Sequence, residues 1–258
     1  MNILPRFLRR DKSVDASLPS VPDGLLIYAI GDIHGRDDLF ADLIERIDVD
    51  RRARGARAVV LILLGDLVDR GPDSDKVVDR ALALRHRFDR FHHLIGNHEE
   101  CMLAALGGDV RALRYFIRIG GDATVRSYMR DDETYEAASF EDLAKLFPAV
   151  VPQAHVDFLK KGEDVVQYGD YAFVHAGVRD EIPLHRQAAS DLRWIREEFL
   201  KSKADHGAII VHGHSISPKV EERVNRVGID TGAYASGRLT AIGLAGSERW
   251  FIETGASR

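Results

Sequence analysis

Cysteine is almost absent from this 258-residue chain: Cys101 stands alone. No internal disulfide can form and no thiolate-based zinc cluster can be built. Such a chain suits a reducing compartment, so a cytoplasmic location is expected. Long apolar runs are missing as well. None approaches the ~18–20 residues that a membrane helix requires, and no membrane is expected as a partner. An excess of positive charge is also lacking: 41 Asp and Glu outnumber 36 Lys and Arg, for a net charge of −5. That balance argues against a nucleic-acid backbone as partner. There is no internal repeat and no low-complexity segment. Hydrophobic residues make up 45% of the chain, enough for the core of one large α/β domain or two small ones.

Five short apolar runs do stand out, each ending in a Gly-bounded cluster of Asp, Asn or His. They read AIGDIHG (29–35), LLGDLVDRG (63–71), LIGNHEE (94–100), FVHAG (173–177) and IVHGHS (210–215). The first three belong to an alternating pattern. Buried strands are expected at 25–30, 58–64 and 91–95, separated by helical spacing over 37–47 and 73–84. That order predicts a sheet with helical crossovers. Residues 99–165 change to an Ala/Leu/Arg-rich helical text. Strands return near 165, 171, 208, 226, 238 and 248, with one continuous helix expected over 191–201. The last two strands alternate more clearly and are expected nearer an edge. Residues 1–23, which lack the apolar stretch of a signal peptide, are expected to form a poorly ordered N-terminal tail.

In open α/β sheets, sites form beyond the carboxyl ends of strands, which is where every cluster falls. Asp32 and His34 are two residues apart, so in an extended stretch they point to one side and could grip one ion. Asp66 can offer two oxygens and bridge two cations. Asn97, His175 and His214 supply neutral ligands for a second ion. Carboxylate and imidazole without thiolate suit Mn²⁺, Fe or Zn²⁺. An isolated Asp or Asn beside glycine is usually turn chemistry; five such clusters together point to one site. His98 could be a seventh ligand or an acid, and His212 could exchange roles with His214. His92 and His93 read as structural. Asp230 reads as a turn residue or a hydrogen-bond acceptor behind the ligands.

GDIHG, GDLVDRG, GNHE, HAG and GHS, in this order and spacing, resemble the phosphoprotein-phosphatase branch of the calcineurin-like metallophosphoesterases. The likeness is nearest to bacterial and lambda phage-type serine/threonine protein phosphatases and symmetrical dinucleoside tetraphosphatases. GGDATVRSY (120–128), WIRE (194–197) and IDTGA (229–233) fit the same pattern. The resemblance covers about 24–254 and implies a single α/β domain there, a sandwich of two mixed β-sheets flanked by helices, with a helical insertion at about 100–165. It implies two divalent metal ions, with Mn²⁺ first and Fe or Zn²⁺ as alternatives, and hydrolysis by a metal-bridged hydroxide. It implies that Asp32 and His34 bind one metal, that Asp66 bridges, and that Asn97, His175 and His214 bind the other. His98 would be the general acid, Asp69 its orienter, and Arg70 and Arg196 the phosphate-binding arms. Arg193 stands where an apolar residue is common in the family. The expected substrate is a phosphorylated protein or small phosphoester: phosphoserine and phosphothreonine first, a dinucleoside tetraphosphate as the alternative. Tyr115, Phe116, Arg118 and Tyr128 could stack the bases of the latter or could be ordinary core.

Overall fold

The computed structural model describes residues 18–55 and 57–255. Ten strands form two sheets of five. In chain order they are β1 (Leu25–Ile30), β2 (Ala58–Leu63), β3 (Arg90–His93), β4 (Val165–Tyr168), β5 (Tyr171–Val174), β6 (Ile209–His212), β7 (Glu221–Glu222), β8 (Arg226–Gly228), β9 (Thr240–Ala245) and β10 (Glu248–Glu253). The first sheet runs β10-β9-β1-β2-β3, and the second runs β4-β5-β6-β8-β7. β1, β2 and β3 are parallel, as are β5, β6 and β8; the remaining neighbours are antiparallel. Both sheets are therefore mixed, and the fold is the expected α/β sandwich.

The unbroken apolar text of β1 and β2 has a simple cause: both faces of their sheet are covered. Ile27, Ala29, Val60, Ile62 and Leu64 face the second sheet and pack with Phe173, Val211, Val227 and Ile229. Leu26, Tyr28, Ile30, Leu61 and Leu63 face the other way, into helices. Those helices include α1 (Asp37–Ala53) and α2 (Ser74–Leu84). In α1, Phe40, Leu43, Ile44 and Ile47 form the buried stripe, at the spacing one helix face requires. The second sheet's outer face is covered in part by Leu192, Ile195 and Phe199.

Between β3 and β4 the chain is helical, as expected: α3 (Asn97–Ala105), α4 (Val110–Phe116), a π-helical turn (Ile117–Gly121), α5 (Asp122–Met129), α6 (Asp132–Ala137), α7 (Phe140–Val150) and α8 (Gln153–Leu159). The last two strands lie at one end of the first sheet as expected, β10 at the edge and β9 beside it, buried and hydrogen-bonded to β1 and β10. Two expectations need correction. The helix over 191–201 is two pieces, α9 (Ala189–Trp194) and α10 (Glu197–Leu200), because Ile195 turns to ψ 143° and Arg196 adopts φ −131°, ψ −102°. The expected tail of residues 1–23 lies outside the described residues as far as 17. From Ser20, however, the chain is joined to the body: Ser20 N donates to Asp170 Oδ2 at 2.8 Å and Val21 N to the Gly246 carbonyl at 2.9 Å. Among the described residues no helix is long and apolar enough to cross a membrane.

The helical segment has its own aromatic centre. Phe147 is fully buried, with its ring 5.9 Å from Phe116 and 6.3 Å from Tyr128. Phe147→Ala is expected to lower stability by about 3–5 kcal/mol through lost burial and a residual cavity. Denaturant unfolding would measure it; a loss below ~1 kcal/mol would show that the neighbouring helices collapse into the gap.

Candidate active site

Because the parallel strands of each sheet point one way, their carboxyl ends deliver the five clusters to one edge of the sandwich. Asp32 and His34 follow β1, and Asp66, Asp69 and Arg70 follow β2. Asn97 and His98 open α3 after β3. His175 follows β5, and His214 follows β6. The sheets meet there: His214 N donates to Asp32 Oδ2 at 2.9 Å, and His175 Nε2 lies 3.1 Å from Asn97 Oδ1.

Backbone geometry sets this region apart. Seven non-glycine residues are described with positive φ, and five of them are His34, Asp66, Asp69, Arg70 and His214. A left-handed backbone is costly for a side-chain-bearing residue and persists where surrounding structure enforces it. Here the turns hold one another. His34 N donates to the Asp66 carbonyl at 2.9 Å and Gly35 N to the Leu67 carbonyl at 2.9 Å. The positive φ of His34 also corrects the expectation of an extended 32–34 pair: the chain turns at His34, whose side chain groups with Asp66 and His98, while Asp32 accepts from His214 N. Gly213 is required by close approach, since a side chain there would collide with Asp32 Oδ1.

The side chains converge with lone pairs inward. His34 Nδ1 lies 2.8 Å from the Val68 carbonyl and His175 Nδ1 lies 2.8 Å from the Leu64 carbonyl. A carbonyl only accepts, so each Nδ1 carries the proton and donates, leaving each Nε2 as an acceptor. His175 Nε2 then faces Asn97 Oδ1, His214 Nδ1 at 3.2 Å and Asp66 Oδ1 at 3.4 Å. His34 Nε2 faces Asp66 Oδ2 at 3.5 Å. Asp32 Oδ1 and His34 Nε2 are buried with no hydrogen-bond partner. Buried acceptors normally find donors; acceptors facing acceptors are what a cation would satisfy. Two groupings are compact enough to hold an ion, His34–Asp66–His98 and Asp66–His175–His214, and Asp66 belongs to both. The donor set thus fits two divalent ions sharing one carboxylate.

Burial pushes Asp32 well above the ordinary carboxylate range, reinforced by the Asp230 and Asp66 charges. It raises Asp66 to about 6 against the opposing pull of His98. Burial lowers His175 to about 4, and lowers His214 to about 2 with the help of the His175 charge. The imidazoles therefore stay neutral, the form a metal requires.

His98 differs from the other histidines. Its Nδ1 lies 2.5 Å from Asp69 Oδ2 and its Nε2 3.1 Å from Arg70 Nη2. Asp69 is itself held, with Oδ1 accepting from Thr124 Oγ1 at 2.6 Å. Arg196 Nη1 donates to the His214 carbonyl at 3.3 Å, from the break between α9 and α10. Arg193 turns away from the cluster, paired with Asp164 at 2.7 Å and Glu100 at 3.7 Å. His212 is buried but engaged elsewhere, with the Gly213 carbonyl and Arg226. His92 pairs with Glu163, and His93 meets the Phe158 carbonyl. Cys101 is buried and its thiol is pushed up to about 12 by desolvation.

Glu99 went unread in the sequence. It is buried, and its carboxylate accepts from the backbone N–H of Asp66 (2.8 Å), Leu67 (2.7 Å), Val68 (3.3 Å) and Gly96 (2.8 Å). It thereby ties the β2 turn to the start of α3. The available signal was its position, third in a helix behind Gly96, where a glutamate reaches back to the N-cap. Asp230 is buried, its charge helps to raise the Asp32 carboxyl, and it accepts from Gly232 N at 2.9 Å as a turn residue does.

Comparison with known proteins agrees with this architecture. The calcineurin-like phosphoesterase family matches residues 25–239. The symmetrical bis(5'-nucleosyl)-tetraphosphatase of Delftia acidovorans is 41% identical over 90 residues, 35% of this chain and 29% of that protein. The match therefore spans less than a third of that relative's length. Other relatives match nearly end to end. The asymmetrical bis(5'-nucleosyl)-tetraphosphatase PrpE of Anoxybacillus flavithermus is 28% identical, covering 84% of this chain and 90% of the relative. Serine/threonine-protein phosphatase 1 of Salmonella typhimurium is 27% identical, covering 83% and 89%. A crystal structure described as a candidate diadenosine tetraphosphatase superposes with a TM-score of 0.61 at 19% identity, over 90% of this chain and 95% of the other, which speaks to the fold alone.

Adding Mn²⁺ to metal-free protein is expected to raise the melting temperature with concentration, since binding to the folded state alone stabilises it. Asp66 is ionised above about pH 6 and protonated below it, so protons compete with the cation as pH falls. The gain should shrink between pH 7.5 and 5.5, read by differential scanning fluorimetry. No metal-dependent shift at pH 7.5 would contradict a cation site here. By its motifs, its sandwich of two mixed sheets and the match over most of its length, the chain belongs to the calcineurin-like phosphoesterase family.

Proposed function

We propose that this protein is a metal-dependent phosphoesterase that hydrolyses phosphomonoesters, and that its substrates are serine- and threonine-phosphorylated proteins. The observation that carries the reaction class is the meeting of inward-facing acceptors with a second set of groups suited to a phosphate. Asp32, His34 and Asp66 would hold one divalent ion, and Asp66, Asn97, His175 and His214 the other. Mn²⁺ is the first choice, with Fe and Zn²⁺ as alternatives. When bound, the ions supply Lewis-acid polarisation of phosphoryl oxygens and acidification of water.

The chain's own residues do the remainder. Arg70 and Arg196 would grip the non-bridging phosphate oxygens, where a planar, permanently charged guanidinium is well matched. Asp69 fixes the proton on His98 Nδ1, which leaves Nε2 as the atom that exchanges a proton. His98 Nε2 would deliver it to the departing oxygen of the substrate. Arg70 Nη2 can only donate, so its contact leaves His98 Nε2 an acceptor in this arrangement; the acid role requires Arg70 to turn to the phosphate and a proton to take its place on Nε2. Cys101, with its thiol raised to about 12, offers no thiolate for a covalent route.

The near end-to-end similarity to serine/threonine-protein phosphatase 1 supports a protein substrate. The aromatic side chains point the same way. Phe116 and Tyr128 lie in the helical core, and Tyr128 Oη is bonded to His155. Of the three aromatic residues considered for base stacking, only Tyr115 is exposed. A symmetrical dinucleoside tetraphosphatase is the second reading, favoured by the 41% identity over 90 residues.

Mn²⁺-loaded protein should hydrolyse phosphoserine and phosphothreonine peptides at least ~100-fold more efficiently than diadenosine tetraphosphate, a difference of about 2.7 kcal/mol. The reverse preference would overturn the substrate, and no hydrolysis of p-nitrophenyl phosphate would overturn the reaction class. Asp66→Asn should abolish turnover and lower metal content; full activity with unchanged metal would remove the bridging assignment. His98→Asn should slow a phosphoserine substrate more than p-nitrophenyl phosphate, whose leaving group hardly needs a proton. Equal losses would take His98 out of the acid role.

A further inference from the structure

We propose that Tyr234 is a positioning residue for the Arg70 guanidinium and, through it, for the phosphate. The inference rests on reading Arg70 as a phosphate-binding arm. Tyr234 lies on α11 (Ala233–Ser236), a short turn between Gly232 and Gly237. It is 36% exposed, so its ring is not part of the core. The guanidinium carbon of Arg70 sits 4.8 Å from the ring centroid. The same ring meets the His34 imidazole edge-on at 5.5 Å between centroids. Tyr234 thus touches both the phosphate arm and a candidate metal ligand from outside.

The turn that carries the ring is tied down on both sides. Arg36 Nη1 donates to the Ala233 carbonyl at 3.1 Å, Ser236 Oγ to the Thr231 carbonyl at 2.8 Å, and Gly237 N to the Ala233 carbonyl at 3.1 Å. Gly120 bounds Arg70 at another point. Arg70 N donates to the Gly120 carbonyl at 2.9 Å, and a Cβ on Gly120, which has φ +116°, would lie 2.8 Å from Arg70 Cγ. Gly120 therefore fixes the base of the arm and Tyr234 its head. A long arginine loses rotational freedom when it grips a ligand, and a support that holds the head in advance reduces that loss. A cation above an aromatic face is an attraction suited to the task. The two supports come from separate parts of the sequence, the helical segment after β3 and the turn before β9.

The test is phosphate binding to the Mn²⁺-loaded enzyme by calorimetry, together with p-nitrophenyl phosphate kinetics. The variants are Tyr234→Ala, Tyr234→Phe, Arg70→Ala and the Tyr234→Ala/Arg70→Ala double mutant. Tyr234→Ala should weaken inorganic phosphate binding and raise KM by roughly 3- to 30-fold, with a smaller change in kcat. Tyr234→Phe, which keeps the ring, should restore most of the affinity. The double mutant should bind phosphate no more weakly than Arg70→Ala, because the two residues act as a unit. Losses that multiply in the double mutant, or an unchanged phosphate affinity in Tyr234→Ala, would overturn the proposal. An unchanged affinity in Arg70→Ala would instead remove the phosphate-arm reading, and this proposal with it.

Discussion

The structure depends on one electrostatic constraint: a buried group of acceptors that protein donors satisfy only in part. Asp66 faces imidazole lone pairs from His34 and His175, and His175 faces the oxygen of Asn97. Carboxylates and lone pairs forced together out of water repel one another and lose hydration. Such an arrangement survives only if the rest of the fold holds it, and only a cation makes it favourable. Much of the local architecture can be understood as that holding. Positive φ at His34, Asp66 and His214 carries a cost of ~1–3 kcal/mol each. Against it stand the hydrogen bonds between the β1 and β2 turns and the four backbone N–H groups gathered by Glu99.

The two-sheet architecture is what lets one edge collect so many ligands. A single parallel sheet offers the ends of neighbouring strands in a row. Two sheets packed face to face offer two rows, opposed across their shared core of Ile27, Ile62, Phe173 and Val211. Asp32, Asp66 and Asn97 come from one row, and His175 and His214 from the other. The rows differ chemically: the first contributes all the carboxylates of the candidate ligand set, and the second contributes only imidazoles. The oxygens of Asp66 therefore have neutral nitrogens across from them, and the like charge from the second sheet comes from Asp230, which follows β8 and acts on Asp32.

Much of this was legible in the sequence, and the reason is physical. A strand buried on both faces must be apolar throughout, so its end is sharply marked when a polar ligand follows. The strand ends at Ile30, Leu63 and Val174 were visible for that reason. The alternation of the last two strands placed them toward an edge, and β10 and β9 do end the first sheet. Less legible was anything decided by backbone conformation or by long-range contact. His34 was expected to share one side of an extended stretch with Asp32, yet the chain turns left-handed at His34. Glu99 was silent because a carboxylate that binds only backbone leaves no partner in the sequence. Phe116 and Tyr128 could not be sorted from Tyr115, since all three sit in helical text with several possible faces.

The break at Arg196 shows how one local failure of helical periodicity serves the site. Residues 191–201 carry a helical pattern and would form one continuous rod. In that rod Arg193 and Arg196, three residues apart, would share a face. The structure separates them. Arg193 pairs with Asp164 and Glu100, and Trp194 Nε1 donates to Glu100 Oε2 at 2.8 Å. Glu100 is on α3, two residues beyond His98, so these contacts bind α9 to the helix that carries the proposed acid. The chain then departs from helical geometry at Arg196, whose guanidinium reaches the His214 carbonyl. The extra arginine, an oddity beside the family pattern, thus has a task of its own. It anchors the second sheet's helix to the first sheet's, and frees Arg196 to face the site from an element whose position is coupled to His98.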